Sequence, residues 1–350
     1  MSDFTICIGS TGGGLWASHD SGRNWNLSTC DDPAQPYELD CRAMVVAPDD
    51  PRVVWAAIEG EEHEDVIARS TDLGDTYQRV KVPVNGRQVW SLAISPHDPK
   101  LIFAGTRPAG LIRSTDGGET WSEMPIGAAK VCSAGKTRLL SLTFTDVPGE
   151  LYAGIEIDGI YFTKDNGETW TRFETTGGRA LLGDDEVWKE DRPADIHAVT
   201  HSTTTQGHPA LSVAMPIGYF RTEDLGKSWY QTRFPEKDRF DKGMFYARSI
   251  ATKVDDPTVV FVGVGRRPPE HVVRGGILRS DDGGDTWVPV SPVLRSEVWA
   301  MASHPDMPDT MVAITLNGQV LVTTDGGLVW ELIDHEFGET RALAITPLVS

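Results

Sequence analysis

The stretch that decides the fold is Ser114-Thr-Asp116-Gly-Gly118-Glu-Thr-Trp121, an eight-residue motif of the form Ser/Thr-x-Asp-x-Gly-x-x-Trp/Tyr. The Asp side chain can accept hydrogen bonds from nearby backbone N–H groups, and Gly tolerates the positive φ of a tight turn. The hydroxyl group adds a second local hydrogen bond, and the Trp ring is large enough to anchor the turn to a core. The motif therefore predicts a structural turn, and neither a catalytic nor a metal-binding role is expected for its aspartate.

The motif occurs seven times, so internal repetition organises the chain. Its aspartates are Asp20, Asp72, Asp116, Asp165, Asp224, Asp282 and Asp325. Successive aspartates are 43 to 59 residues apart, which is enough for four short strands and their loops. We therefore predict an all-β fold, a single seven-bladed β-propeller over residues 1–350 with almost no helix.

The segments around the motifs predict how the ring closes. The last strand-like segment, 341–347, has no motif after it, whereas the first, 4–9, has no inner strand before it. The C-terminal segment should therefore complete the blade begun by the N-terminal segment, which hides the edges that an open sheet would expose. The predicted blades are 339–347 with 4–30, then 40–83, 87–126, 137–176, 194–235, 244–292 and 296–337.

The motif resembles the Asp-box, or BNR, repeat of bacterial sialidases, sortilin-type receptors and related propellers. That resemblance implies that each box occupies the turn between the third and fourth strands of a blade, on the side away from any ligand.

Composition and charge exclude several classes of partner. Gly 35 and Pro 22 suit many short strands and turns. The formal net charge of −19 repels nucleic acid and anionic membrane surfaces, so neither is expected as a partner. No apolar run is long enough for a transmembrane helix, and the N-terminus does not read as a signal peptide. The four cysteines lack metal-like spacing and are expected to be reduced thiols in a cytoplasmic protein.

Charged residues recur at the start of the predicted inner strands. Aligning these strands places seven residues at one level: Arg42, Trp90, Leu140, His197, Arg248, Trp299 and Arg341. Two residues earlier lie Asp40, Gln88, Arg138, Asp195, Tyr246, Glu297 and Glu339. Arginines crowded around a channel repel one another unless an anion or neighbouring carboxylates compensate. The sequence leaves two alternatives open, an anionic ligand or a self-satisfied salt-bridge network.

The predicted site takes a small anionic substrate, because arginine forks bind carboxylates bidentately. The predicted substrate-binding residues are Arg42, Arg248, Arg341, Arg138, Arg107, Gln88, Trp90, Trp299 and Glu297. Tyr246 and His197 are predicted to exchange protons on either side of the reacting carbon, the tyrosine only if neighbouring arginines lower its pKa. No cofactor and no metal are expected. Loops at 61–64, Arg107-Pro108, 156–158 and 266–271 should open on the same face, and 177–195 could form a lid.

These residues favour an enzyme that abstracts a proton α to a carboxylate. Architecture, size and ligand charge are similar to those of bacterial iminodisuccinate epimerases, cytoplasmic seven-bladed propellers that need no cofactor. We therefore predict an epimerase acting on an imino- or amino-dicarboxylic acid, as a monomer or weak homo-oligomer. The alternatives are a lyase on a similar substrate, a sialidase-like glycosidase, or a non-catalytic propeller scaffold.

Overall fold

The computed structural model describes residues 3–30, 40–59, 65–83, 86–132, 135–173, 180–181, 195–232, 234, 246–265 and 274–348. Within these ranges the regular secondary structure is β-strand, and no helix is present. Accordingly, none of the described residues forms a helix able to span a membrane.

The strands are grouped by blade along the chain. The first group is β1 (Phe4–Ser10), β2 (Leu15–Ser18) and β3 (Asn26–Leu27). The second is β4 (Thr29–Cys30), β5 (Asp40–Val46), β6 (Val54–Glu59), β7 (Asp65–Ser70) and β8 (Thr76–Val80). The third is β9 (Gln88–Ile94), β10 (Ile102–Arg107), β11 (Leu111–Ser114) and β12 (Ser122–Met124). A short hairpin of β13 (Val131–Cys132) and β14 (Gly135–Lys136) follows.

The remaining strands repeat the same arrangement. The fourth blade is β15 (Leu139–Phe144), β16 (Leu151–Ile155), β17 (Gly159–Thr163) and β18 (Thr171–Arg172). The fifth is β19 (Ala180–Leu181), β20 (Ala198–Thr203), β21 (Pro209–Met215), β22 (Gly218–Thr222) and β23 (Trp229–Thr232). The sixth is β24 (Tyr246–Lys253), β25 (Asp256–Gly265), β26 (Gly275–Ser280) and β27 (Val288–Pro289). The last is β28 (Val298–His304), β29 (Met307–Thr315), β30 (Gln319–Thr323) and β31 (Glu331–Glu336), and β32 (Thr340–Pro347) ends the chain's strands.

Each blade is built on four antiparallel strands, and one edge strand of each sheet faces the propeller axis. Two sheets carry a fifth strand, where β4 and β19 pair in parallel with the outer strands β8 and β23. The inner strands β5, β9, β15, β20, β24, β28 and β32 contact one another in sequence, and β32 contacts β5. The seven inner strands therefore form a closed ring.

The ring is closed by the pairing of the two ends of the chain. Strand β32 pairs antiparallel with β1, from Phe4 opposite Pro347 to Gly9 opposite Ala342. The side chains of Ile6, Ile8, Leu343 and Ile345 are buried together in one cluster against the last blade. The predicted seven-bladed propeller, including its closure, is confirmed.

The Asp-box turns connect the blades to one another as well as stabilising themselves. Gly118 has φ +92°, and a Cβ there would lie 2.3 Å from the ring of Trp55 in the preceding blade. Only glycine combines that backbone conformation with so close an approach. The Trp55 ring packs among Val89, Ile102 and other buried side chains of both blades. Each box therefore seals an apolar interface between neighbouring sheets.

Candidate functional site

A shared irregularity of the inner strands builds the candidate site. In six of the seven inner strands a β-bulge shifts the register of pairing and leaves one extra residue. These extra residues are Arg42, Trp90, Leu140, Arg248, Trp299 and Arg341. In the remaining blade His197 directly precedes β20, and its N–H donates to the Ala214 carbonyl at 3.1 Å. Bulges re-aim side chains, and these seven residues line one end of the ring, called here the channel mouth.

Arginine and tryptophan side chains stack on one another around the mouth. The guanidinium carbon of Arg341 lies 4.6 Å from the Trp299 ring centre and 5.6 Å from that of Trp90. Arg42 and Arg138 lie 5.3 and 4.8 Å from the Trp90 ring centre. Stacking on an aromatic face holds a guanidinium in place without neutralising its charge. The two tryptophan side chains therefore support a circle of positively charged guanidinium groups around the mouth.

Three of these arginines lie beside carboxylates. Arg138 donates two hydrogen bonds to Glu156, at 2.5 and 2.6 Å. The Nε of Arg341 donates to Glu339 at 2.5 Å. Arg42 lies 3.5 Å from Asp40. The salt-bridge alternative from the sequence therefore describes these three arginines, with Glu156 as an acceptor that the strand alignment did not include.

Arg248 differs from the other three. It is buried, at 7% exposure, and its guanidinium makes no hydrogen bond or ion pair within 4 Å with any residue that the structure describes, although the charge of Glu156 acts on it from farther away. Its carbon lies 3.8 Å from the centre of the Trp299 ring. Burial, the largest cause, lowers the pKa of Arg248 from its ordinary value. A buried cation without a partner is costly in the absence of an anionic ligand.

Asp195 at the mouth has a raised pKa. Burial is the largest cause and the charge of Glu156 the second, and together they raise the pKa of Asp195 to about 6. Its Oδ1 is buried and accepts no hydrogen bond from the described residues. A carboxyl with this pKa can carry a proton at mildly acidic pH and release it near neutrality. Sequence reasoning gave Asp195 only a charge-pairing role, because the burial that raises its pKa is a property of the folded mouth.

His197 and Tyr246 lie side by side, with ring centres 5.0 Å apart. The carbonyl oxygen of Ala247 lies 2.8 Å from His197 Nδ1, and since a carbonyl only accepts, Nδ1 carries the proton. The Nε2 lone pair therefore faces Asp195 Oδ1, 3.8 Å away. Burial, with the Arg248 charge second, lowers the pKa of His197 well below its ordinary value, so the ring is neutral.

This geometry corrects two details of the predicted proton exchange. The predicted role of Tyr246 required neighbouring arginines to lower its pKa. Burial instead raises the pKa of Tyr246, because the opposing effect of Arg248 is smaller. The two rings belong to adjacent blades and lie on the same side of the mouth. They do not face each other across a substrate.

The other predicted site residues also surround the mouth. Gln88 accepts hydrogen bonds from Trp90 Nε1 at 3.3 Å and Arg107 Nη1 at 3.4 Å. Glu297 precedes β28, and its charge contributes to the raised pKa of Tyr246. The assignment of these residues to substrate binding remains a prediction. The loops at 61–64 and 266–271 lie outside the described residues, as does the predicted lid at 177–195 apart from residues 180, 181 and 195.

No group of three or more His, Cys, Asp or Glu side chains within the described ranges is arranged to hold a metal ion.

Comparisons with known proteins agree on the repeat and on the fold. The BNR/Asp-box repeat model matches residues 112–123. A xyloglucanase of Hypocrea jecorina (strain QM6a) is 24% identical over 322 residues, which cover 83% of this chain and 32% of that protein. The crystal structure of the GH74 xyloglucanase from Xanthomonas campestris has a TM-score of 0.65 and 18% identity, covering 99% of this chain and 53% of that one. YCF48 bound to D1 peptide has a TM-score of 0.53 and 14% identity, covering 89% and 93%.

The chain carries BNR/Asp-box repeats on a seven-bladed β-propeller. It spans about a third or less of the length of the curated relatives it matches. These relatives are glycoside hydrolases, and none is an isomerase or a lyase. The predicted epimerase function is therefore wrong. Fold, size and a charged axial pocket are shared by propellers of unrelated activity, so that resemblance could not identify a reaction.

Proposed function

We propose that the channel mouth binds the carboxylate of an acidic saccharide, and that the protein is a glycosidase-like hydrolase of such compounds. The observation that carries the proposal is Arg248, a buried guanidinium that forms no hydrogen bond and no ion pair within 4 Å among the described residues. A bidentate carboxylate would satisfy its donors and offset its burial. The similarity to xyloglucanases supports a saccharide as the rest of the ligand.

Asp195 is the proposed general acid. Glycosidic bond cleavage uses a protonated carboxyl beside the leaving oxygen and a second carboxylate that stays ionised. The pKa of Asp195, raised to about 6, suits the first role. Glu156 is proposed for the second role, because two hydrogen bonds from Arg138 hold its carboxylate in place.

The two aromatic supports would also limit where the sugar can lie. The Trp90 ring has Arg42, Arg138 and Arg341 near it, and Trp299 has Arg248 and Arg341. If the carboxylate of the ligand lies between these arginines, its sugar ring extends outward from the mouth. Neutral saccharides would leave Arg248 without a partner, so they should bind much more weakly.

Aryl glycosides of uronic and sialic acids test the proposal, with matched neutral aryl glycosides as controls. The acidic compounds should bind and release the aryl alcohol, whereas the neutral compounds should not. Asp195→Asn should remove turnover but keep binding, and Arg248→Gln should remove binding. Glu331→Gln, an exposed carboxylate on β31, is the charge-matched control for Asp195→Asn. Absence of both binding and hydrolysis with every acidic compound would overturn the proposal.

A second function, binding without catalysis, is favoured by one observation. The similarity to YCF48 bound to D1 peptide covers nearly the whole of both chains. The C-terminal carboxylate of a peptide would satisfy Arg248 in the same way as an acidic sugar. Binding of peptide carboxylates with no hydrolysis of any acidic glycoside would select this alternative.

A further inference from the structure

A repeated arginine on the opposite, Asp-box face of the propeller behaves differently in one blade. In four blades an arginine directly precedes the first residue of the box; these arginines are Arg69, Arg113, Arg221 and Arg279. Three of them extend to the box of the following blade and donate to a backbone carbonyl there. Their acceptors are Asn166 for Arg113 at 2.7 Å, Gly283 for Arg221 at 2.6 Å and Gly326 for Arg279 at 2.6 Å.

These three arginines also have carboxylate partners. Arg113 lies 2.8 Å from Glu168, and Arg221 lies 2.9 Å from Asp285. Arg279 lies 2.6 Å from Asp281. Their side chains are 8% to 13% exposed, so each is a closed structural contact between two blades.

Arg69 does not make the corresponding contact. By analogy its acceptors would be the carbonyl of Gly117 and the carboxylate of Glu119. Yet the side chain is exposed, and it forms no hydrogen bond or ion pair within the described part of the chain. Its guanidinium lies 5.7 Å from the ring of Trp55, which packs beneath Gly118. Asp50 is near enough for Arg69 to contribute to its lowered pKa, but Asp50 is held by Arg52 at 2.8 and 3.0 Å.

A cavity of about 310 Å³ lies where the contact would have formed. Its lining includes three cationic residues, Arg69, Arg79 and Lys81, and one acidic residue, Glu119. Gln78 and Thr71 add an amide and a hydroxyl group to the wall. The volume is at the lower end of the range of small-molecule sites, roughly 300–1,000 Å³.

We infer that this cavity binds a small phosphate ester. The fork of Arg69 and the mobile ammonium of Lys81 are the two cationic groups that proteins use for phosphate. Gln78 lies directly opposite Arg69 in the pairing of β7 with β8, so its amide can reach a hydroxyl group carried by the same ligand. A free phosphate ion would leave much of the cavity unfilled. The site is on the box face, at the other end of the blades from the channel mouth, and does not depend on the proposed hydrolase activity.

Calorimetric titration with glycerol phosphate tests the site, with inorganic phosphate and glycerate as comparison probes and sodium chloride holding the ionic strength constant. Glycerol phosphate should bind with a dissociation constant at least tenfold lower than either comparison. Arg69→Gln should weaken it at least tenfold. Gln78→Glu should do the same, because it gives Arg69 an internal carboxylate partner without disturbing the core. Lys164→Gln, which removes an exposed positive charge near another box, should change nothing.

The channel mouth also carries arginines, so the titration is repeated with Arg248→Gln. Binding of glycerol phosphate should be unchanged in that variant. Loss of binding in Arg248→Gln with retention in Arg69→Gln would assign the phosphate to the mouth and overturn the inference. So would equal binding of glycerate, equal effects of Arg69→Gln and Lys164→Gln, or no binding by the unaltered protein.

Discussion

The guanidinium carbon of Arg248 lies 3.8 Å from the centre of the Trp299 ring, and both residues are the extra residues of β-bulges in adjacent inner strands. The stacking fixes the direction of the guanidinium but leaves its hydrogen-bond donors available. The neighbouring arginines are held by Glu156, Glu339 and Asp40. Among the described residues, the mouth therefore combines three paired arginines, which shape it, with Arg248, which is available to bind an anion.

Replacing Arg248 with methionine should stabilise the ligand-free protein. The change removes a buried charge without a partner and keeps most of the side-chain volume, so we expect a gain of about 1 kcal/mol in the free energy of unfolding. Chemical denaturation without ligand measures it. The matched variant is Arg138→Met, which should lower stability because it leaves Glu156 without its two hydrogen bonds. If Arg248→Met is the more damaging of the two, Arg248 is part of the scaffold and not a ligand site.

Asp195 predicts a pH dependence of stability. Its pKa in the folded protein is about 6 and the ordinary value is 3.8, so the native state holds the proton more tightly than the unfolded state does. The free energy of unfolding should therefore fall by up to about 3 kcal/mol as pH rises from about 4 to 6. Above pH 6 it should level off. Asp195→Asn should remove this slope and be the more stable protein at pH 7. Parallel curves for the two proteins between pH 4 and 7 would contradict the assignment.

The same proton should control ligand affinity. Above pH 6 the ionised Asp195 adds a negative charge beside Arg248, so a carboxylate ligand should bind more weakly as pH rises through 6. Binding by Asp195→Asn should be independent of pH in this range. Titrations of an acidic saccharide at pH 5, 6, 7 and 8 distinguish the two behaviours.

The Asp boxes show how far the sequence specifies this fold. Each box stabilises itself through residues no more than four positions apart, such as Asp116 accepting from Ser114 Oγ at 2.8 Å and the Thr120 N–H at 2.9 Å. Because these interactions are local, each blade needs the same residue types at the same spacing, and the sequence shows the motif once per blade. Counting the motif is therefore enough to predict seven blades. Ring closure follows from a second observation, that segment 4–9 has no inner strand before it and segment 341–347 has no box after it.

The site was less predictable, for two physical reasons. The bulged residues share no residue type, since arginine, tryptophan and leucine all occupy the position, and only the pairing register reveals what they have in common. Alignment of the inner strands still placed the bulged residues at one level, because a similar apolar segment follows each of them in the sequence. The raised pKa of Asp195, and the lack of an ion-pair partner for Arg248 in the part of the chain that the structure describes, depend on neighbours in other blades. No spacing within the chain encodes those distances.

Asp282→Ala should destabilise the fold and leave the mouth unaffected. The carboxylate accepts hydrogen bonds from Ser280 Oγ at 2.7 Å and from the N–H and Oγ1 of Thr286 at 2.8 and 2.6 Å. We expect a loss of about 1 kcal/mol in the free energy of unfolding, with binding at the mouth unchanged at 20 °C. These hydrogen bonds lower the pKa of Asp282, although burial opposes them. The stabilisation should therefore disappear as the solution is acidified below the ordinary aspartate pKa, and the variant should resemble the unaltered protein there.

Removing residues 339–350 should destroy the cooperative unfolding of the whole propeller. The loss takes away β32, whose buried Leu343 and Ile345 contribute about 1.5–3 kcal/mol each, and leaves an open edge on β1. The strand also ties two other blades together, since Thr340 Oγ1 donates to the Thr315 carbonyl at 2.6 Å and Thr346 Oγ1 to that of Pro51 at 2.7 Å. Removing only residues 348–350 is the matched control and should leave the thermal midpoint unchanged. A single sharp transition at the original temperature in the longer truncation would show that closure by β32 does not hold the ring together.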